Sequence, residues 1–266
     1  MRLCCVIVFL SFFIVNSSYG ATPQIDLNLQ EDEFAISFLP LKEGEVAILH
    51  LPSGGQYLIN TGPVSMMDKL YFYLNHFQYT NIKGILITEE SEYYPESIKK
   101  IQDDFPVEQV YIGSKLVKAQ KGKLPPNAFS WDKNKVLTIS PNLSLHLLQE
   151  GSEKGEGLNF TITFFKQRFL WLSSHSKSTE SLLMKRILKD ICIMKIPVES
   201  KTETISDKLL KHIDPQTAIL YRSKEKMLNG ELLESINETW IDLYLTGQHG
   251  LISIKFNQTY YEVITY

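Results

Sequence analysis

An order of short segments constrains this chain more than any single residue does. Three apolar runs, Phe34 to Leu39, Glu45 to Leu51 and Gln56 to Asn60, follow one another with only the turns Lys42-Glu43-Gly44 and Pro52-Ser53-Gly54-Gly55 between them. Runs this short and this closely joined predict an antiparallel meander. Helical spacing of apolar residues then appears over Met66 to Phe77 and Pro95 to Asp104, with β-rich runs at Lys83 to Thr88 and Gln109 to Ile112. After a lysine-rich connection, Lys115 to Pro126, a second succession opens with strands at Val136 to Ile139, Leu143 to Leu148, Asn159 to Lys166 and Phe169 to Leu172. Helix Ser178 to Lys189, strand Ile191 to Ile196, helix Ser206 to Ile213, strand Thr217 to Tyr221, helix Glu231 to Ile236 and a hairpin around Gly247 to Gly250 complete it. The predicted class is α/β (α+β): two sheets face to face between outer helices, a four-layer αββα sandwich. No Pro/Ser-rich linker, low-complexity tract or solenoid-length repeat interrupts the chain, so residues 34–266 read as one domain behind a polar lead-in, 21–33.

Residues 1–20 have a different character. Met1-Arg2 precede an apolar run from Cys4 to Val15, and Ser18 and Gly20 are small residues placed just before Ala21, the three-part shape of a secretory signal peptide. The run is too short to span a bilayer comfortably. Cleavage after Gly20 is therefore expected, with a secreted or extracytoplasmic product that keeps no stable membrane span. Cys4 and Cys5 leave with the peptide, Cys192 alone remains, and no internal disulfide is possible. The apolar setting of Cys192, Ile191 to Ile196, marks it as a buried structural thiol. With 27 Lys+Arg against 30 Asp+Glu, no global field recruits nucleic acid or an anionic membrane. Lys99-Lys100 and Lys115, Lys118, Lys121 and Lys123 have no interleaved aromatic residues and read as solvated lysines rather than a nucleic-acid patch. Sequons at Asn142, Asn159, Asn237 and Asn257 matter only in a host that glycosylates secreted proteins.

A longer pattern runs through the strands. Phe38-Leu-Pro-Leu-Lys-Glu-Gly-Glu-Val-Ala-Ile48 and Tyr57-Leu-Ile-Asn-Thr-Gly62 open it; Ile85-Leu-Ile-Thr-Glu-Glu-Ser-Glu-Tyr-Tyr94, Leu170-Trp-Leu-Ser-Ser174 and Glu180-Ser-Leu-Leu183 continue it. Met194-Lys-Ile-Pro-Val-Glu-Ser-Lys201, Asp214-Pro-Gln-Thr-Ala-Ile219 and Leu245-Thr-Gly-Gln-His-Gly-Leu-Ile-Ser-Ile254 close it. Taken in this order the stretches resemble the metallo-β-lactamase fold, and within it the branch attached to competence DNA-uptake channels, the ComEC/Rec2-like type. The corresponding strings of that branch are F-L-D-V-G-Q-G-D-A-I-L, I-L-I-D-T-G, T-H-x-H-x-D-H, L-L-T-G-D, E-x-x-L-L, L-K-I-P-H-H-G-S, P-x-x-A-I and T-x-x-x-G-x-I-x-I. The resemblance covers about residues 34 to 256.

The resemblance implies a two-metal hydrolase, in which imidazole and carboxylate ligands from several loops hold two ions and activate a hydroxide. The side chains needed are absent. The H-x-H-x-D-H positions carry Glu89, Ser91, Tyr93 and Tyr94, the Gly-Asp carboxylate is Ser174, and the paired histidines of the last motif are Val198 and Glu199. The six histidines, His50, His76, His146, His175, His212 and His249, show no pairing at metal-ligand spacing. The expectation is therefore no metal, no cofactor and no catalytic residue. What remains is a degenerate binding rim made of Asn60, Glu89, Ser91, Tyr93, Tyr94, Ser174, His175 and Glu199. Residues 89–94 read either as part of that rim or as a solvated acidic loop capping the helix that starts near Pro95. Nothing in the spacing sets two glutamates at a working separation for acid-base chemistry. Ser173-Ser174-His175 lacks a G-x-S-x-G elbow, and Ser53-Gly54-Gly55 is a hairpin turn rather than a phosphate loop. The leading expectation is a secreted, inactive relative that binds an extracellular ligand or a cell-surface protein. The alternatives are an extracellular metallo-hydrolase of phosphodiesters or other esters with an unconventional site built from Glu89, Glu199, His175 or neighbours, and a surface accessory of DNA uptake. The acidic balance argues against the last of these.

Overall fold

The computed structural model describes residues 24–120, 122–132, 136–151, 156–174, 176–188, 190–197, 205–221 and 230–266. The expected leader, 1–20, and the rim residues His175 and Glu199 lie outside them. The first succession comprises β1 (Phe34–Phe38), β2 (Ala47–His50), β3 (Gln56–Ile59), α1 (Met67–His76), β4 (Ile82–Ile87), α2 (Pro95–Asp104), β5 (Gln109–Gly113), α3 (Ser114–Ala119) and β6 (Ala128–Trp131). The second comprises β7 (Val136–Ser140), β8 (Leu143–Glu150), β9 (Leu158–Phe164), β10 (Gln167–Trp171), α4 (Lys177–Leu183), β11 (Ile191–Ile196), α5 (Asp207–Ile213), β12 (Thr217–Leu220), α6 (Gly230–Glu238) and β13 (Asp242–Leu245). The short helix α7 (Thr246–His249) then leads to β14 (Ile252–Phe256) and β15 (Tyr261–Thr265).

The strands form an eight-stranded sheet, β15-β14-β1-β2-β3-β4-β5-β6, and a seven-stranded sheet, β13-β12-β11-β10-β9-β8-β7. Each is antiparallel in one half and parallel in the other: β3 through β6 run parallel in the first, β10 through β13 in the second. One apolar cluster lies between the sheets, built from Phe38, Trp131, Phe160, Phe169, Trp171 and their neighbours. A second packs α1 and α2 on the outer face of the larger sheet, and a third packs α4, α5 and α6 on the smaller one. The four-layer αββα order is thus the one expected. Because every central strand is buried on both faces, its sequence reads as a continuous apolar run rather than an alternation. In β10, Phe169 and Trp171 point between the sheets, whereas Leu170 points to the helices.

The structure corrects several expectations. Gly247 to Gly250 is not a hairpin: β13 and β14 belong to different sheets, and α7 with Gly250 at φ 76° carries the chain across. A glycine there needs no compensation for a positive φ. The connection from Lys115 begins as α3, because Glu150 meets its first turn, accepting from Ser114 Oγ at 2.6 Å and from the Lys115 backbone N–H at 2.6 Å. A carboxylate beside exposed helix N–H groups is favourable. Helix α4 is capped by Ser176, whose Oγ accepts from Thr179 N at 3.2 Å, and it ends at Leu183 instead of running to Lys189. Strands β6, β13 and β15, of four or five residues, are too short to stand out in sequence. Cys192 is half-buried, with Sγ 3.3 Å from Arg168 O, and burial pushes its thiol up. Among the described residues no helix is long and apolar enough to cross a membrane.

Candidate binding site at the strand ends

In sheets with a parallel half, functional groups gather beyond the carboxyl ends of the parallel strands, where loops leave for the covering helices. Here the ends of β3, β4, β10, β11 and β12 converge from both sheets. The sheets come close at Gly157: a Cβ added there would lie 2.5 Å from Thr88 O and 2.7 Å from Ser173 Cβ. Leu158 N donates to Thr88 O at 2.7 Å, tying the end of β4 in one sheet to the start of β9 in the other.

A buried ion pair sits at the centre. Lys195 Nζ lies 2.5 Å from Glu45 Oε2 and donates to Leu172 O at 3.1 Å. Its ammonium also faces the rings of Trp171 and Tyr221, with centroids 5.2 and 5.9 Å away. The Lys195 side chain is only 1% exposed. Its inward aim comes from a register slip: Arg168 pairs with Ile191 but Phe169 with Ile193, so Cys192 is skipped. Ile191 consequently packs under the helices while Ile193 lies between the sheets, and Lys195 shares that inner side.

Two more carboxyls crowd the pair. Burial, then the Glu45 carboxylate and Glu89, push Glu92 up to about 8, against a lowering by the Glu45 backbone N–H and by Lys195. At neutral pH Glu92 is thus predominantly a protonated acid. Glu89 is also raised, chiefly by burial, with Lys195 pulling the other way. The Tyr221 phenol is 4% exposed and held well above its ordinary range by burial and by Glu45 and Glu92. Among the described residues, neither Tyr221 Oη nor Glu92 Oε2 has a hydrogen-bond partner. Gly44 makes room for the carboxyl: at φ 73°, its added Cβ would meet Gly62 Cα at 2.9 Å and come within 3.3 Å of Glu92 Oε2.

The residues read from sequence as a rim are divided by the structure. Asn60, at φ 60° past the end of β3, is fully buried; its Nδ2 donates to Thr88 Oγ1 at 2.9 Å and its Oδ1 accepts from Thr88 N at 2.9 Å. Asparagine tolerates this left-handed backbone and splices two parallel strand ends with one amide. Ser174 is likewise bonded internally: Asn159 Nδ2 donates to its Oγ at 3.0 Å, and Asn159 Oδ1 accepts from Ser173 N and Ser174 N at 2.9 and 3.2 Å. Tyr93 is buried and donates to Lys123 O at 3.0 Å, so its hydroxyl is already engaged. Glu90 and Ser91 are exposed, and Glu89 and Tyr94 lie at intermediate depth. The solvated-loop reading of 89–94 therefore fails at Glu92 and Tyr93, which turn inward. Sequence reasoning missed Glu45, Asn159, Lys195 and Tyr221, and met Glu92 only as one member of the loop 89–94. Glu45 and Lys195 had a signal: they occupy the second Asp of F-L-D-V-G-Q-G-D and the Lys of L-K-I-P-H-H-G-S. Asn159 stood out only as a sequon, and the fold buries it completely.

These donors do not fit a two-metal centre. Glu45 is engaged by an ammonium, the Asn60 and Asn159 amides and the Tyr93 hydroxyl by protein partners, and among the described residues no group of three or more His, Cys, Asp or Glu side chains is arranged to hold a metal ion. What the arrangement can do is hold a proton on Glu92 and present buried, unpartnered oxygens beside a fixed positive charge.

A second buried polar group lies elsewhere, at the antiparallel end of the larger sheet. His50 Nδ1 is 2.5 Å from Tyr79 Oη, His50 Nε2 is 2.7 Å from Ser37 Oγ, and Ser37 Oγ is 2.6 Å from Ser253 Oγ. Ser37, His50 and Ser253 are fully buried, so no substrate reaches this serine-histidine contact. Burial lowers His50 to about 3, and the ring stays neutral.

No protein-family model and no curated protein matches the chain by sequence. Solved structures do. The metallo-β-lactamase fold protein YhfI from Bacillus subtilis matches with a TM-score of 0.58 at 9% identity, over 88% of this chain and 100% of its own. A CmlA β-hydroxylase matches at 0.60 and 10% identity over 84% of this chain and 54% of its own. A long form RNase Z from yeast matches at 0.56 and 11% identity over 87% and 49%. This chain thus spans about half the length of the last two. With two mixed sheets between helices and these neighbours, the chain has the metallo-β-lactamase fold.

Proposed function

We propose that this protein is an extracytoplasmic binding module of ComEC/Rec2-like descent: residues 1–20 are a cleaved leader, 34–266 a single domain, and the metal ligands of the hydrolases are replaced. The fold does not choose a chemistry, since the neighbours include by name a hydroxylase and a ribonuclease. The observation that carries the proposal is the internal bonding of the strand ends. Where the resemblance places metal ligands, Tyr93 is bonded to Lys123 O and Ser174 to Asn159, and the other described positions, Glu89, Ser91 and Tyr94, carry oxygen groups. Meanwhile the Lys195–Glu45 pair keeps the charge types that the resembled strings have at those positions. Scaffold residues have been kept and ligand residues exchanged, as expected when selection acts on the shape of the strand ends and no longer on hydrolysis. The ligand is an extracellular molecule or a cell-surface protein; nucleic acid is disfavoured by the mild negative charge.

The deciding experiment measures metal by plasma mass spectrometry in purified residues 21–266 after dialysis against zinc and manganese. Trace, substoichiometric metal is the expected outcome. A full equivalent or more would sink the proposal and favour a hydrolase whose site uses Glu89, Glu199 or His175.

A further inference from the structure

The donors of Lys195 are already committed. An ammonium has three N–H donors and no acceptor. Here Glu45 Oε2 lies 2.5 Å away and Leu172 O 3.1 Å away, and the rings of Trp171 and Tyr221 flank the cation. The groups around it are acidic in excess: Glu45 just before β2, then Glu89 and Glu92 in the loop after β4, with Glu43 acting on the nearby Tyr94. The one ammonium that acts on Glu89 and Glu92 is thus the one held by Glu45.

Two oxygens beside this pair lack a donor. Tyr221 and Glu92 are 4% and 6% exposed, and among the described residues neither Tyr221 Oη nor Glu92 Oε2 has a hydrogen-bond partner. Both belong to one environment: Tyr221 feels Glu45 and Glu92, and Glu92 feels Glu45 and Glu89. A buried polar atom without a partner is costly, and two in one place point to a missing group. Its neighbours restrict what that group can be. An anion would meet three carboxyls. A neutral hydroxyl could donate but would leave the excess of carboxyls unmatched. For a metal ion, no group of three or more His, Cys, Asp or Glu among the described residues is suitably arranged. A primary ammonium brings both donors and charge, and hydrogen bonds from a charged donor are the stronger kind.

We propose that the strand-end site takes a primary ammonium group, whose N–H donors meet Tyr221 Oη and Glu92 Oε2 beside Glu89. The inference rests on the reading of the strand ends as a metal-free binding site and names the chemistry of its ligand. A carboxyl accepts a hydrogen bond whether or not it carries a proton, so the contact with Glu92 does not depend on its titration. The loop after β4 supplies the approach: Glu90 and Ser91 are exposed, Glu89 and Tyr94 lie at intermediate depth, and Glu92 is buried. Acidic groups therefore continue from solvent to the two oxygens. The ammonium is carried by a free alkylamine or by a lysine side chain of a partner protein.

The test is isothermal titration calorimetry of the purified protein, once its metal content has been measured, with n-butylammonium and Nα-acetyl-lysine methylamide as probes. Three controls of similar size each lack one feature: n-butanol the charge, butyrate its sign, tetramethylammonium the N–H donors. Saturable binding of at least one amine is expected, at least about tenfold tighter than any control, because a site built around a hydrogen bond rejects analogues that cannot make it. Tyr221→Phe should weaken amine binding about tenfold without lowering the thermal midpoint, since it removes an oxygen that no described residue bonds. A purely structural tyrosine would show the reverse. Binding of the lysine derivative alone identifies a protein side chain as the source, and binding of n-butylammonium a free amine; either upholds the ammonium class. A metal-free protein that binds neither amine, binds a control as tightly, or responds to Tyr221→Phe in stability and not in affinity overturns this inference and leaves the metal-free reading standing. A full equivalent of metal overturns both.

Discussion

The His50 chain and the Lys195 cluster are both polar groups sealed inside the protein, yet they are satisfied in opposite ways. Around His50 every ring nitrogen has a hydroxyl partner and nothing is charged. Around Lys195 one ammonium faces three carboxyls, and a phenol and a carboxyl oxygen have no partner among the described residues. A neutral, fully bonded network rigidifies at little electrostatic cost; a charged, partly bonded one is expensive and persists where something other than stability is selected. The difference separates scaffold from site without reference to any motif.

The largest break in that comparison should come from Lys195→Met. Removing the cation leaves Glu45 buried and unpaired, and urea unfolding at neutral pH should show a loss of about 3–5 kcal/mol. Adding Glu45→Leu to the same chain should recover most of it; a double variant as unstable as the single would mean that Lys195 acts by packing on Trp171 and Tyr221 alone. Next, His50→Leu should cost about 2–3 kcal/mol by stranding the Tyr79 hydroxyl and loosening Ser37.

The two networks should also respond oppositely to pH. His50 drops from 6.5 to about 3 on folding, so the unfolded chain takes its proton first. Its contribution is whole above pH 6.5 and lost as pH falls toward 3, with a slope of up to ~1.4 kcal/mol per pH unit. Glu92 rises from 4.5 to about 8, so its contribution is whole below pH 4.5 and lost as pH climbs through 8. Chemical denaturation at pH 5 and pH 8.5 should accordingly show Glu92→Gln gaining on wild type only at the higher pH, and His50→Leu losing its acid-side slope. Equal pH profiles for wild type and Glu92→Gln would show that Glu92 is ionised and solvated. The smallest effect is expected from Arg168→Ala: its partner Asp190 is 54% exposed, so the pair should contribute less than about 1 kcal/mol.

Legibility in sequence followed burial and locality. Strands β1, β2 and β4 and helices α1 and α2 were readable because their apolar residues are consecutive or helically spaced and their turns are local. The short edge strands β6, β13 and β15 were not, because each is defined by the neighbour it pairs with and not by its own composition. Asn60 and Ser174 read from sequence as members of a binding rim; in the fold they bond Thr88 and Asn159 at the strand ends, which no spacing announces. Lys195 looked like one polar residue in an apolar run, and its sealed position needed the slip at Cys192.

By itself, then, the amino-acid order determined the layers: enough double-faced apolar strands for two sheets and enough amphipathic helices to cover them. Only the tertiary structure decided what the polar side chains do. Glu45 and Lys195 are distant in sequence and belong to different sheets, and their 2.5 Å contact exists because packing brings two sets of strand ends together. Burial then fixes the charge: the same Glu92 that would ionise in an open loop keeps its proton near neutral pH because the sheets have removed the water around it.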